Sequence, residues 1–187
     1  MKSSLTFITG NTAKALQVSR HLSIPLDHTA LDLVEIQSLE LSEIVKAKAK
    51  SAYEIIKKPV LVEDVSLTFE AMGKLPGPFI KWFHKELGNE GLCRMLDIYE
   101  NRNAFSEVMY GLHTGHDIHL FHSSIKGSIS MKPQGDEVFG YDPIFIPDGF
   151  EKTWAEMSQG ELDNTSMRKN ALKEMEEFLQ SHESSKN

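Results

Sequence analysis

The chain has 187 residues, enough to bury most of its apolar surface as one domain or two close lobes without disulfide staples. Its 20 Lys and Arg stand against 27 Asp and Glu, and the net charge of -7 argues against a broad grip on DNA, RNA or an anionic membrane, so any phosphate recognition must be local. One cysteine rules out an internal disulfide framework, and no run is long and apolar enough to cross a bilayer.

The N-terminal MKSSLTFITG is too short and too soon polar for a secretory signal, so a cytoplasmic protein is expected. Leu5 to Ile8 reads as a strand, Thr12 to Leu22 as a helix, Leu26 to Val34 as a second strand and Ser42 to Lys57 as a longer helix. The β-branched run Pro59-Val60-Leu61-Val62 completes a βαβαβ alternation, the signature of an α/β sheet. GPFIKWFHKEL and EGLCRMLDIYE follow as helices, with Cys93 as a small core residue in the second. AFSEVMYGLHTGHDIHLFHSSIKGSIS then alternates as a hairpin about Gly115. A loop-rich stretch through Asp148-Gly149 leads to an amphipathic helix from about Thr165 to Gln180, and the polar tail over about 181–187 is expected to fray. No repeat or linker separates domains, so residues 1–187 read as a single domain, an α/β fold with a central mixed, twisted sheet flanked by helices.

Several stretches carry candidate chemistry. Glu63 and Asp64 close the apolar strand run, where ligands of open α/β sheets gather; equally, they could begin a loop and face water. In TFITGNTAK, Thr9-Gly10-Asn11 leads from a strand into a helix carrying Lys14, a geometry that suits an anion and also suits an ordinary turn and cap. Glu35 ends the second strand, and carboxylates from two strand ends could share a Mg²⁺ that binds phosphate oxygens. Lys46, Lys48 and Lys50 on the next helix are either phosphate ligands or a solvated face. GKLPGPFIKWF stiffens a turn and delivers Lys81 to a cleft, or merely precedes a core helix. His113, His116, His119 and His122 split between strand faces, and no physiological metal site is expected of them. Phe139, Tyr141 and Phe145 beside Gly140 and Asp142 could stack on and read a nucleobase, or pack a core.

Taken together, TGNxxK, VED after a strand, LPGPFIKWF, FGYDPIF and PDGxxKTxAEM resemble the inosine triphosphate pyrophosphatase family over nearly the whole chain, in one order. The resemblance implies an elongated two-lobed molecule with the active-site cleft between lobes, a Mg²⁺ requirement and a homodimer. It implies hydrolysis of ITP, dITP and XTP to monophosphate and pyrophosphate, cleansing the nucleotide pool of deaminated purines. No nucleic acid polymer or membrane partner is implied. Carried over by residue, Thr9, Gly10, Asn11 and Lys14 match the triphosphate loop, Glu35 and Asp64 the metal carboxylates, and Lys48 and Lys81 the phosphate lysines. Phe139, Gly140, Tyr141 and Asp142 match the base pocket. Asp64 is the expected metal ligand or water-orienting base, with Glu63 and Lys14 in support.

One stretch departs from the family. Against EKNxxSHRxxAL this chain reads ELDNTSMRKNAL, so Leu162 replaces a lysine and Met167 a histidine, whereas Ser166 and Arg168 remain. In the family the His-Arg pair helps recognise the 6-oxo group, leaving Arg168 and the Gly140 backbone to read it here, with Lys169 or Lys173 able to supply charge. A lost donor costs roughly 1–3 kcal/mol of discrimination. The alternatives to the family activity are a triphosphate pyrophosphatase of altered base preference and a non-catalytic nucleotide-binding relative.

Overall fold

The structure, a computed structural model, describes residues 5–22, 24–136 and 140–184. Seven strands form one sheet in the order β2-β1-β3-β5-β6-β7, with β4 paired to β3. Strand β1 (Leu5–Ile8) lies parallel to β2 (Leu26–Thr29) and to β3 (Val60–Phe69); β4 (Pro76–Gly77) is antiparallel to β3. The sheet is completed by β5 (Asn103–His113), β6 (Ile118–Ile129) and β7 (Phe145–Pro147), the last antiparallel to β6. The mixed α/β architecture expected from the sequence is thus the one observed.

Helices α1 (Thr12–Leu22) and α2 (Leu41–Ile56) are the crossovers that parallel strands require. By contacts the chain divides into two compact units: Met1–Asp64 with Val108–Ser123 and Arg168–Asn187, and Val65–Glu107 with Ser124–Met167. In the first unit, Leu41, Val45, Ala49 and Ala52 of α2 pack with Ile8, Val60, Val62 and Met109 into a core. Burying such a side chain is worth roughly 1.5–3 kcal/mol. Gly111 fits the same packing, because a Cβ there would stand 2.6 Å from Val45 Cγ1. In the second unit Leu67, Phe69, Leu92, Leu96, Ile144 and Phe145 are buried, as is Cys93, whose thiol burial pushes up.

Three expectations from the sequence need correction. The second strand ends at Thr29, not Val34, because its partner β1 ends at Ile8, the residue paired with Thr29. Residues 30–40, Glu35 included, are therefore irregular, and Val34 is exposed. The third strand does not stop at Val62 but continues to Phe69, where Leu67 and Thr68 pair with β4, so Glu63 and Asp64 sit within a strand. The two helices expected over residues 77–100 are present as the two halves of α3 (Ile80–Arg94), which meet at a kink at Gly88, whose φ of 64° is outside helical geometry. The stretch before the last helix, expected to be loop, holds a short helix, α4 (Gln159–Asn164); after a break the expected last helix follows as α5 (Met167–Ser184), which runs into the segment expected to fray. Thr165 stands at the break, its hydroxyl accepting the Trp154 indole N–H at 3.0 Å.

Candidate active site

Where β1 ends, the Thr9 amide donates to Thr29 O at 2.9 Å and the chain turns into α1. The Asn11 amide donates to Thr9 Oγ1 and the Lys14 amide to Asn11 Oδ1, both at 3.1 Å, so Asn11 caps the helix. Gly10 needs no positive φ, and a Cβ there would make an ordinary 3.5 Å contact with Ala30 Cβ. Packing therefore does not demand the glycine.

The cap aims Lys14 at the middle of β3. Lys14 Nζ lies 2.9 Å from Glu63 Oε1, and Arg168, in the first turn of α5, reaches the same oxygen through Nη2 at 3.3 Å and Nε at 3.4 Å. Burial alone would push the Glu63 carboxyl up, but the Arg168 and Lys14 charges outweigh it and hold its pKa below the glutamate range. Successive strand side chains point to opposite faces, so Asp64 meets a different helix. Lys48 Nζ from α2 lies 3.1 Å from Asp64 Oδ2, 3.1 Å from Glu35 Oε1 and 3.4 Å from Glu63 O. Burial pulls the Lys48 pKa down, yet the Asp64 and Glu35 carboxylates together raise it above the lysine value.

Glu63 Oε2 and the Tyr110 hydroxyl on β5 are both buried with no hydrogen-bond partner of good geometry. They are near enough to interact, since burial and then the Glu63 charge raise the phenol pKa well above its ordinary value. Nothing in the alternating sequence of β5 distinguishes Tyr110 from a core aromatic, and its neighbourhood is set by strand pairing alone.

The second unit carries the remaining candidates. Lys81, exposed in the first turn of α3, has its Nζ 5.5 Å from the centre of the Trp82 ring. Gly140, at φ 49°, accepts the Asn89 carboxamide N–H at 3.0 Å, and Asp142 O accepts the Ala155 amide at 3.2 Å. The Ser106 hydroxyl donates to Met167 Sδ at 3.2 Å and shares a 2.9 Å hydrogen bond with Tyr141 Oη. A hydroxyl has one proton, so Ser106 must accept from Tyr141. Met167 is thus buried in this cluster, where the family resemblance expects histidine. Leu162 is half-buried on α4, and Lys169 and Lys173 are exposed on α5. Phe139 lies outside the described residues. Asn89 and Ser106 escape sequence reasoning because their partners lie 51 and 35 residues away.

Of the four spaced histidines, His113 stacks on Tyr53 at 4.1 Å between centroids and accepts the Gly115 amide, while His119 packs against Phe178. Among the described residues no three His, Cys, Asp or Glu side chains gather as a metal cluster. Glu35 and Asp64 nonetheless fit a hard cation: with the Glu63 carbonyl they converge on one positive charge, the Lys48 ammonium, which marks the point where oxygens can hold an ion. No helix among the described residues is long and apolar enough to cross a membrane.

A family model described as the Ham1 family matches residues 5–178. The chain belongs to the Ham1 family. Among relatives, it is 41% identical over 188 residues to an inosine triphosphate pyrophosphatase of Tuber melanosporum, covering 97% of this chain and 100% of that one. It is 40% identical over 172 residues to inosine triphosphate pyrophosphatase 2 of Trypanosoma cruzi, covering 90% and 88% respectively. The Ham1 protein of Staphylococcus aureus shares the fold with a TM-score of 0.84 at 22% identity, covering 96% of this chain and 99% of that one. A nucleoside-triphosphatase, or dITP/XTP pyrophosphatase, of Mycobacterium abscessus matches with a TM-score of 0.77 at 25% identity over 92% and 98%.

Proposed function

We propose that this Ham1 family chain hydrolyses non-standard purine nucleoside triphosphates (ITP, dITP and XTP) to the monophosphate and pyrophosphate. The observation that carries the reading is the gathering of Lys14, Lys48 and Arg168 with Glu35, Glu63 and Asp64 about two adjoining parallel strands, in a chain about 40% identical to named inosine triphosphate pyrophosphatases. Cleavage between the α- and β-phosphates needs anionic charge neutralised, a water oriented and a pyrophosphate leaving group stabilised.

In the Thr9-Gly10-Asn11 turn the Gly10 main-chain N–H is the one assigned to phosphate, since the Thr9 and Asn11 amides already donate to Thr29 O and Thr9 Oγ1, and packing does not require the glycine. Lys14, Lys48 and Lys81 take phosphate charge. Glu63 keeps Lys14 and Arg168 in register, and Asp64 orients the attacking water and accepts its proton. Glu35 and Asp64 would hold Mg²⁺, which when bound supplies further neutralisation of the triphosphate. Phe139, Gly140, Tyr141, Asp142, Met167 and Arg168 are the residues we assign to base recognition. We also propose that residues 1–187 act as one catalytic domain, as a cytoplasmic homodimer, and without a nucleic acid or membrane partner. No observation favours a shifted base preference or binding without turnover.

The test is pyrophosphate release with Mg²⁺ from ITP, XTP, dITP, ATP and GTP, for the wild type beside Asp64→Asn. Preference for ITP, dITP and XTP that disappears with Asp64→Asn supports the reading. A wild type that yields orthophosphate, or nothing, from every nucleotide overturns it. Sedimentation of the intact chain settles the dimer.

A further inference from the structure

We infer that Lys48 is a built-in stand-in for the divalent cation, so that metal binding displaces its ammonium from Glu35 and Asp64 and frees it for substrate phosphate. The inference deepens the proposed function, and it rests on that reading only for what Lys48 does once released.

The geometry is that of a small cation in an oxygen cage. Lys48 has three N–H donors, and three oxygens surround Nζ: Glu35 Oε1 at 3.1 Å, Asp64 Oδ2 at 3.1 Å and Glu63 O at 3.4 Å. Its side chain is only 16% exposed, and its stem leaves α2 beside the buried Val45, Ala49 and Ala52. By contrast, Lys46 and Lys50 on the same helix are exposed. Two carboxylates with a carbonyl are also the hard oxygen set that a divalent ion takes, at distances of about 2.0–2.6 Å. A dication and an ammonium cannot share the same two carboxylate oxygens, because the dication would stand in the ammonium's place and repel it.

Displacement has a consequence for the site. A lysine carries its charge on a flexible four-carbon stem, so an ammonium expelled from the cage stays within reach of its surroundings as a mobile positive point. The polyphosphate is the anion that would then satisfy it. Cation and nucleotide therefore favour each other's binding, reciprocally, with Lys48 as the exchanged piece.

The experiment is titration of Mn²⁺ into the nucleotide-free protein, read by electron paramagnetic resonance of the unbound ion. Lys48→Met should tighten Mn²⁺ binding about tenfold, and Lys48→Gln should do the same. Lys46→Met, the same charge change on an exposed residue, should alter it by less than about twofold. Lys48→Arg, whose fork grips two carboxylates, should bind no tighter than wild type. Equal or weaker Mn²⁺ binding by Lys48→Met, or an equal gain from Lys46→Met, overturns the inference. Should both uncharged variants fail to fold, a crystal of the wild type with Mn²⁺ decides: Lys48 Nζ must leave both carboxylates, and an ammonium still bridging them overturns the proposal. No nucleotide enters these measurements, so a wild type that releases no pyrophosphate would defeat the proposed function while leaving this result intact.

Discussion

In the unit built on β1 and β2, polar side chains are held by full charges: Lys14 and Arg168 on Glu63, Lys48 between Glu35 and Asp64. Around Ser106 and Gly140, in the unit that carries α3 and β7, buried polar groups are held instead by neutral bonds, Tyr141 to Ser106 to Met167 and Asn89 to the Gly140 carbonyl. Ion pairs of this kind can be exchanged for a charged ligand, since an incoming phosphate or cation replaces the partner it removes. Neutral bonds between buried groups fix a shape, because breaking them strands a donor or acceptor with nothing gained. One region is made to trade partners and the other to stay as it is.

The sharpest way to break this contrast is to remove the carboxylate that does most. Asp64→Asn should lower kcat/KM for pyrophosphate release from ITP by about 10²–10³-fold, the scale for losing one transition-state contact, while the fold persists by circular dichroism. Turnover within a few-fold of wild type would show that the charged set is structural only.

Glu63→Gln comes next, and its effect depends on pH. The folded Glu63 pKa lies below the ordinary value of 4.5, so the carboxylate contributes stability above that pH and loses it as the pH falls through the depressed folded value. Urea denaturation at pH 7 should show a loss of about 2–3 kcal/mol, at or just under the range for a buried pair because water still reaches Lys14 and Arg168. The gap between variant and wild type should close below pH 4.5. A gap independent of pH would mean that the charge on Glu63 contributes nothing.

In the neutral region, Ser106→Ala should cost about 1–2 kcal/mol by removing the buried hydrogen bond between Ser106 and Tyr141, with Mn²⁺ affinity unchanged. A change in metal binding would show that the two regions are not independent. Tyr110→Phe has the smallest expectation. It removes a buried hydroxyl with no partner of good geometry, so stability should stay within about 1 kcal/mol of wild type or rise. A larger loss would show that the phenol does hydrogen-bond Glu63 in solution.

What the sequence alone determined is local. The apolar run ending at Val62, the turn of Thr9 to Asn11 and the amphipathic face of α2 are short-range patterns, and periodicity with turn chemistry is enough to place them. The family motifs likewise pointed to Glu35, Lys48, Glu63 and Asp64, though not to what each one touches. The tertiary structure decided the rest. Strand alternation sent Glu63 to α1 and α5 and Asp64 to α2, and the phase of α2 turned Lys48 rather than Lys46 to the carboxylates. Arg168 meets Glu63 across 105 residues of chain, and Tyr110 reaches the same carboxylate only because β5 lies beside β3. No local pattern encodes such meetings, because they depend on which strands pair and in which register, and that is fixed by burial over the whole sheet.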